Sequence, residues 1–272
     1  MIFFASKEKV EDLLYQAMSF MEKGQAKDAI PFFKKIIKQE PKNIDALCNQ
    51  GLALNQLKKY QDAITCFDKV LKINPEYIAA INNRGIALAE LGNTDDAFEY
   101  YNKAIKINPK YAAAHYNKGV LYDKLLQHDE AIQSLDEAIK CDSGNVNTAF
   151  YRGVVLGKMR KHEEALNCFE NIYKKHPKHM DAFFHKGIEM AELGKHEKAL
   201  EIFDKLLQIH KDNVNVIYAK ARSNAALDNI DEAIYLLGQA IKKDRKTIKK
   251  WAVQEKFFDN LLDDPRFNKL VK

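Results

Sequence analysis

Glycine and proline are scarce in this chain. Eleven glycines and six prolines among 272 residues make up about 6% of the sequence, roughly half of the average share. Because these residues interrupt regular backbone, their scarcity excludes a collagen-like or loop-rich chain and favours long regular elements. The remaining composition is rich in good helix formers such as Ala, Leu, Glu and Lys, so the first prediction is an all-α fold.

Cysteine and long apolar runs are also limited. No two of the four cysteines form a Cys-x-x-Cys pair, and a chain that is 46% apolar has enough core residues to fold without disulfides. No segment approaches the ~20 apolar residues that span a bilayer, and the start of the chain lacks the charge-then-apolar order of a signal peptide. We therefore predict a cytoplasmic protein with no membrane association. We expect reduced, buried thiols at Cys48, Cys66, Cys141 and Cys168.

The residues that usually carry catalysis are few. Ser and Thr together number nine, and neither a phosphate-binding Gly-x-x-x-x-Gly-Lys-Ser/Thr motif nor a Gly-x-Ser-x-Gly motif occurs. His128, His162 and His196 lie 34 residues apart, but equivalent points on stacked helices are separated by about 10 Å, whereas ligands lie ~2 Å from a shared metal ion. We predict a protein that is not an enzyme, with no cofactor and no metal.

The sequence does contain a repeat of 34 residues in seven copies without an insertion. Four columns define it: an alanine, a glycine, an aromatic or leucine, and a proline. The alanines are Ala29, Ala63, Ala97, Ala131, Ala165, Ala199 and Ala233. The glycines are Gly51, Gly85, Gly119, Gly153 and Gly187. The third column is Phe33, Phe67, Tyr101, Leu135, Phe169, Phe203 and Leu237, and the prolines are Pro41, Pro75, Pro109 and Pro177.

Apolar spacing within one copy predicts two antiparallel helices, A and B. The turn between them in the third copy, Leu91-Gly92-Asn93-Thr94-Asp95, is expected to carry N-cap side chains. A glycine inside helix A costs ~1 kcal/mol relative to alanine, so we expect helix B to cross there, with the alanine column as the facing small residue. A single helix pair cannot bury its apolar face, so stacked copies are expected to share one core.

These columns resemble the tetratricopeptide repeat, although the tryptophan column of that family is absent. The resemblance implies a right-handed superhelical solenoid of seven helix-turn-helix repeats with a C-terminal capping helix. A lead-in is expected over residues 1–9, with Ser6 as N-cap and Ile2, Phe3 and Phe4 as a hydrophobic staple. The predicted repeats are 10–43, 44–77, 78–111, 112–145, 146–179, 180–213 and 214–247. Residues 248–272 are predicted as capping helix and tail, with Trp251 packed in the core.

The resemblance also implies that the A helices line a concave groove where partners bind. On the inward positions of these helices, asparagine recurs in three successive repeats, and aromatic residues cluster in repeats four to seven. The predicted peptide-binding residues are Asn49, Asn83, Asn117, Tyr116, Phe150, Tyr151, Phe184 and Tyr218. Solvated or helix-bridging amides and partly buried rings are the alternative interpretations. The inward acidic residues are Glu11, Glu22, Asp45, Glu90, Asp123, Asp181 and Glu192, against Lys124, Lys158 and Arg222.

Two functions follow from this pattern. The first is a scaffold that binds a partner peptide of unknown identity in the groove. The second is a nucleic-acid-binding helical repeat that uses the run from Lys242 to Lys250 and a column of basic residues, for which a structural, snorkelling role is the competing interpretation. The acidic excess in the groove argues against nucleic acid, although the whole chain carries +5. The basic column is Arg84, Lys118, Arg152, Lys186 and Lys220.

Overall fold

The structure, a computed structural model, describes residues 9–272. The predicted N-cap at Ser6 and its staple of Ile2, Phe3 and Phe4 lie outside the described residues. Across residues 9–272 the chain forms helices joined by short turns, and no strand occurs there. The all-α prediction is therefore confirmed. Contacts divide the chain into two compact units, Met1–Gly144 and Asn145–Lys272.

The first unit contains four helix pairs. Its helices are α1 (Val10–Glu22), α2 (Ala26–Gln39), α3 (Ile44–Gln56), α4 (Tyr60–Ile73), α5 (Ile78–Glu90), α6 (Thr94–Ile107), α7 (Ala112–Lys124) and α8 (His128–Cys141). From α1 to α14, the odd-numbered helices are the A helices and the even-numbered ones are the B helices. Each A helix begins at the first residue of one of the 34-residue copies.

The second unit contains three further pairs and a C-terminal extension. The pairs are α9 (Val146–Lys158), α10 (His162–Lys175), α11 (Met180–Glu192), α12 (His196–Ile209), α13 (Val214–Ala226) and α14 (Ile230–Lys243). The extension consists of α15 (Arg245–Gln254), a 3-10 helix (Lys256–Leu261) and α16 (Pro265–Val271).

Within each unit every helix packs on its neighbours in sequence, which gives two layers. A helices also contact the next A helix directly, as α3 with α5 and α5 with α7 in the first unit and α11 with α13 in the second. The alanine column lies between the layers, and all seven of its members are fully buried. The buried residues form successive clusters, each of which spans neighbouring helix pairs, so a pair buries its apolar face against the next one.

The glycine column faces the aromatic column of helix B. A Cβ added to Gly51 would lie 2.5 Å from the Phe67 ring, one on Gly153 would lie 2.8 Å from Phe169, and the other members meet their third-column residue as closely. At Gly119 the Ala131 carbonyl oxygen also lies close, at 3.1 Å. The nearest neighbour of each glycine in this column is therefore the buried third-column side chain of helix B, which lies closer than the expected alanine.

The A–B turns depend on one residue in the left-handed region of backbone conformation. These residues lie 34 apart, with φ between 57° and 84°: Gly24, Lys58, Gly92, Leu126, Arg160, Gly194 and Asp228. Four of the seven are not glycine, although side chains disfavour this conformation. The predicted N-cap side chains are not found here, because Asn93 makes no side-chain cap at the start of α6.

Side-chain caps occur instead at the A helices. Asn43 Oδ1 accepts from the backbone N–H of Ala46 at 2.9 Å, and Asn145 and Asn213 cap α9 and α13 in the same way. Each cap satisfies one of the backbone donors that a helix start leaves unpaired. At these junctions the last residue of a copy caps the first helix of the next one, whereas Tyr77 and Tyr111 make no side-chain cap.

The C-terminal extension differs from the single predicted capping helix. Asp244 Oδ1 caps α15 by accepting from the Thr247 N–H at 3.0 Å, so that helix begins three residues earlier than expected. It ends at Gln254, and the chain continues as the 3-10 helix. The predicted stripe is buried at Ile248, Ala252, Phe258 and Leu261. Trp251 is 41% exposed, so its assignment to the core is wrong.

The cysteines are free thiols with unequal burial. Cys48 and Cys66 are buried, whereas Cys141 and Cys168 are only half-buried, against the prediction that all four are buried. Burial raises the pKa of the Cys48 thiol to about 11, with a smaller contribution from Asp45. A thiol in that state is protonated at neutral pH and acts as a packing group.

A prediction concerns the glycine column. Gly153→Ala places a methyl group against the Phe169 ring and should destabilise the second unit by about 1–3 kcal/mol. Gly238→Ala in α14 is the matched control, because its Cβ would lie 3.6 Å from Leu270, at ordinary contact distance. That change should be neutral or stabilise by up to about 1 kcal/mol. Urea unfolding followed by circular dichroism compares the two, and equal midpoints would contradict the close approach.

A second prediction concerns the turns. Leu126 has a φ of 61° and is 78% exposed, so removing its side chain gives up little buried apolar surface. Leu126→Gly should stabilise the first unit by about 1 kcal/mol, because glycine adopts this backbone conformation without steric cost. Gly92→Ala, in the equivalent turn of the same unit, should shift the urea midpoint in the opposite direction. Shifts of the same sign would show that the backbone conformation is not what decides stability here.

Candidate functional site

The three predicted asparagines lie on successive A helices of the first unit, and each is half-buried. Asn49 Nδ2 donates to the Asp45 carbonyl at 2.9 Å and Asn83 Nδ2 to the Ala79 carbonyl at 2.8 Å, each within its own helix. Asn117 differs, since its Nδ2 donates to Asn82 Oδ1 on the preceding A helix at 2.9 Å. One of the two N–H donors of each amide is therefore used within the protein.

The acceptor oxygens of these amides, unlike their nitrogens, have no hydrogen-bond partner among the described residues. Among residues 9–272, no hydrogen bond reaches Oδ1 of Asn49, Asn83 or Asn117. A column of three carbonyl-type oxygens, one per repeat, remains to accept hydrogen bonds from a ligand or from water.

A small cleft of about 70 Å³ lies between α5 and α7 beside Asn117. Its lining is mainly apolar, including Ile86, Val120 and Leu121. An ion pair between Lys124 and Glu90 borders it, joining the two A helices. This volume accommodates a methyl-sized or slightly larger group next to the Asn117 amide.

Among the predicted inward positions of the first unit, the unpaired acidic residues lie on its first two A helices. Glu11, Glu22 and Asp45 are exposed, and none forms an ion pair within the described part of the chain. Glu90 is neutralised by Lys124, and Asp123 is buried with His128 Nδ1 at 3.1 Å from its Oδ1. The acidic excess predicted for the inner face is thus available mainly near the N-terminal end of this unit.

The predicted aromatics of the second unit are packed among other rings. The ring centroid of Phe150 lies 5.5 Å from that of Phe169, 5.3 Å from that of His179 and 5.2 Å from that of His185. The centroids of Phe184 and His185 are 5.6 Å apart. Burial lowers the pKa of His185, so a neutral imidazole is favoured at the centre of this cluster. Phe150 and Phe184 stay half-buried, which fits partial burial combined with an accessible edge.

Tyr218 is placed differently from the other predicted residues. It is only 7% exposed, because Trp251 and Phe258 of the C-terminal extension lie 5.5 and 5.9 Å from its ring. Burial raises its pKa. The extension therefore covers the inner side of α13, and Tyr218 is not part of an open surface. Tyr116 and Tyr151, the remaining two, are half-buried.

Arg222 fixes the extension to the A helices. Its guanidinium lies 2.6 Å from Glu192 Oε1 on α11 and 2.6 Å from Glu255 Oε2, just after α15, and 5.0 Å from the Phe257 ring. All three charged side chains are three-quarters buried or more. One cation thus joins α11, α13 and the start of the 3-10 helix.

We call Arg222 and its two carboxylate partners, Glu192 and Glu255, the clamp. A cleft of about 700 Å³ lies beside it and is lined by α9, α11 and residues 254–257. Glu189 and Gly157 line it, and sequence reasoning did not single out either one. Each leaves a signal in the repeat: Gly157 is a helical glycine off the glycine column, and Glu189 replaces the buried apolar residues Leu121 and Val155 of earlier copies. Glu255 and Phe257 follow the last repeat, so periodicity gave no signal for them.

The basic column is engaged in contacts with helix B. Arg84 pairs with Asp68, Lys186 with Glu170 and Lys220 with Asp204, at 2.6 to 3.0 Å, and Lys118 Nζ donates to Asn102 at 2.9 Å. Arg152 Nη1 lies 3.3 Å from Cys168 Sγ. These side chains link neighbouring helices, which supports the structural interpretation of the column.

The run from Lys242 to Lys250 spans two elements. It is divided at Asp244 between the end of α14 and the start of α15. Lys243 pairs with Asp212 at 2.6 Å. The run is therefore not a single basic face.

The histidine column lies at the first residue of successive B helices, where each ring packs or pairs locally. His162 Nδ1 lies 2.7 Å from Glu189 Oε2, and the buried His196 lies 5.2 Å from the Phe257 ring. Within residues 9–272, no group of His, Cys, Asp or Glu is arranged to hold a metal ion, and no helix there is long and apolar enough to cross a membrane.

Sequence profiles described as tetratricopeptide repeat match most of the chain. The matches cover residues 13–43, 44–77, 78–111, 100–133, 152–214 and 190–256. The chain belongs to the tetratricopeptide repeat family, whose members are in general scaffolds for protein interactions.

Solved structures of other tetratricopeptide repeat proteins have the same fold as this chain. A tetratricopeptide repeat protein from Parabacteroides merdae superposes with a TM-score of 0.62 at 21% identity, covering 89% of this chain and 96% of its own. The C-terminal part of a repeat protein from Cytophaga hutchinsonii gives 0.65 at 14% identity, over 87% and 98%. YrrB, a TPR protein with an unusual peptide-binding site, gives 0.57 at 22% identity, over 69% and 97%. No curated protein matches the chain.

The clamp gives a prediction. Arg222→Met should destabilise the second unit by about 2–3 kcal/mol, because it leaves Glu192 and Glu255 largely buried without a cation. Hydrogen exchange at the amides of residues 245–262 should accelerate. Lys186→Met is the control: its partner Glu170 is 43% exposed, so the loss should be under about 1 kcal/mol. Equal losses in the two variants would contradict the clamp.

Proposed function

We propose that the protein is a non-enzymatic scaffold that binds an extended partner peptide along the A helices. The observation that carries this proposal is the asparagine column of the first unit, where the amide oxygens recur every 34 residues and accept no hydrogen bond from the described residues. An extended peptide presents backbone N–H groups regardless of its side chains, so such a column favours reach over sequence selectivity. The peptide-binding site of YrrB, a protein of the same fold, adds support.

The internal use of each Nδ2 sharpens the role of the amides. An asparagine that uses one N–H internally still offers its oxygen and its second N–H, and each hydrogen bond to a peptide contributes ~0.5–1.5 kcal/mol net. Three such bonds give modest affinity, so selectivity has to come from neighbouring groups. In the first unit these are Tyr116, the small cleft beside Asn117, and the exposed Glu11, Glu22 and Asp45, which favour a basic segment near α1 and α3.

Phe150, Tyr151 and Phe184 remain candidates for peptide contacts in the second unit through their exposed edges, where a ring edge or face can meet an apolar or cationic side chain. Tyr218 is withdrawn from that set because the C-terminal extension covers it.

Nucleic-acid binding is the weaker alternative. The basic column that it requires is engaged with helix B, and the run from Lys242 to Lys250 is split between two helices. Charges already paired release few counterions on binding a phosphate backbone. The cytoplasmic location inferred from the sequence stays a prediction.

The test uses a peptide selected from a displayed library against the purified protein, with calorimetry as the measurement. Asn83→Ala with Asn117→Ala should weaken binding about tenfold, the loss expected for two hydrogen bonds. Asn102→Ala is the matched control, since it removes an amide from the outer helix α6 of the same unit and should leave affinity within about twofold. If the double variant stays folded and binds like the wild type, the A helices of the first unit are not the peptide site.

A further inference from the structure

The 700 Å³ cleft of the second unit has an unusual floor. Glu189 lies on it with its side chain only 6% exposed, and a carboxylate so far removed from water is costly unless it is paired. His162 Nδ1 lies 2.7 Å from Oε2. Within the described chain, Oε1 has no hydrogen-bond donor.

Gly157 explains how the carboxylate is accommodated. A Cβ at Gly157 would lie 2.6 Å from Glu189 Oε1, so any larger residue on α9 would displace the carboxylate from this position. Gly157 itself lines the cleft, which places Oε1 at the boundary of the open volume. Burial raises the pKa of Glu189, while the bond from His162 lowers it. Oε2 of this acid is therefore paired with His162, while Oε1 faces the cleft and can accept from a ligand.

The walls supply the other half of the recognition. Val154 and Ile188 offer apolar surface on α9 and α11, and the Phe257 ring closes the third side. Phe257 already accepts one guanidinium on its ring, that of Arg222 at 5.0 Å. An aliphatic stem that ends in a cation fits such a site, because the stem covers apolar surface while the charge reaches the acid.

We propose that this cleft is a binding site for a single arginine or lysine side chain, whose cation pairs with Glu189 Oε1 between Val154, Ile188 and Phe257. The bidentate geometry of a guanidinium favours arginine, since its second N–H can reach a neighbouring acceptor.

The rim restricts the neighbours of that side chain. Arg160 and Lys256 line the cleft and are exposed, so they repel further cations outside it. A desolvated charge at the floor interacts more strongly than solvated charges at the rim. The preferred ligand is therefore one basic residue flanked by neutral or acidic residues, not a polybasic segment.

This inference deepens the proposed peptide binding and rests on it for its biological meaning. The cleft can nevertheless be tested without a peptide that spans the first unit, so the two proposals can fail separately.

The experiment titrates the full-length, ¹⁵N-labelled protein with N-acetylarginine methylamide and follows amide shifts by NMR. Shifts are expected at residues 154–160, 185–192 and 254–257, with a Kd on the order of 1–10 mM for so small a ligand. The uncharged isostere, N-acetylcitrulline methylamide, should bind at least about tenfold more weakly because it cannot pair with the carboxylate.

Two variants change the affinity in opposite directions. Glu189→Gln keeps the shape and the contact with His162 but removes the charge, and should weaken arginine binding at least about tenfold. Lys256→Gln removes a rim cation and should strengthen it by about twofold. Glu163→Gln is the matched control, an acidic residue of the same unit that is 71% exposed and does not line the cleft; it should bind like the wild type.

Each outcome is decisive for the cleft. An absence of shifts in the wild-type protein, equal binding of the citrulline probe, or wild-type affinity in folded Glu189→Gln would overturn the proposal. If Glu189→Gln fails to fold, the sign of the Lys256→Gln effect decides, and weaker binding there would also overturn it. Failure of the asparagine variants to affect library peptides would remove the peptide groove of the first unit and leave the arginine site standing.

Discussion

The close approach of helices A and B at the glycine column is the contact on which the rest of the structure depends. Each glycine admits a buried side chain of helix B at a distance where no Cβ would fit, as the Phe67 ring does over Gly51. That contact fixes the angle and spacing of a pair, and the fully buried alanine column fills the space beside it. The contact recurs in five of the seven helix pairs, and Ala17 and Ala221 take the glycine position in the first and last pairs, so one local rule builds most of each unit.

Much of this fold could be predicted, because period and composition report directly on packing. The A helices begin where the 34-residue count places them, and the glycine column marks a close approach. The partner of the glycine could not be derived, because the alanine and the aromatic columns both lie on helix B and spacing alone does not rank them. The left-handed turn residue was missed for a related reason: only Gly24, Gly92 and Gly194 display the preferred residue, while Lys58, Leu126, Arg160 and Asp228 conceal it.

The site was less predictable than the fold, because the chemical state of a side chain depends on partners outside its own repeat. The asparagine column is visible in the sequence, but the engagement of every Nδ2, and the different partner of Asn117, depend on contacts along and between A helices. Tyr218 was expected on an open surface and is buried, whereas Trp251 was expected in the core and is exposed. Both differences arise because the extension after the last repeat, which lies outside the period, folds over α13. A periodic argument describes what copies share and says nothing about the segment that follows them.

The same reasoning indicates where specificity resides in a repeat protein. Residues that recur in most copies are committed to packing, like the glycines, or to links between helices, like the basic column. A surface built only from them would be the same along its length and could not distinguish partners. Discrimination has to come from departures from the period. Gly157, Glu189 and Glu255 are such departures, and all three meet at one cleft. The isolated glycine and the buried acid are each unfavourable alone, yet each accommodates the other, so the pair makes sense as one feature of the second unit.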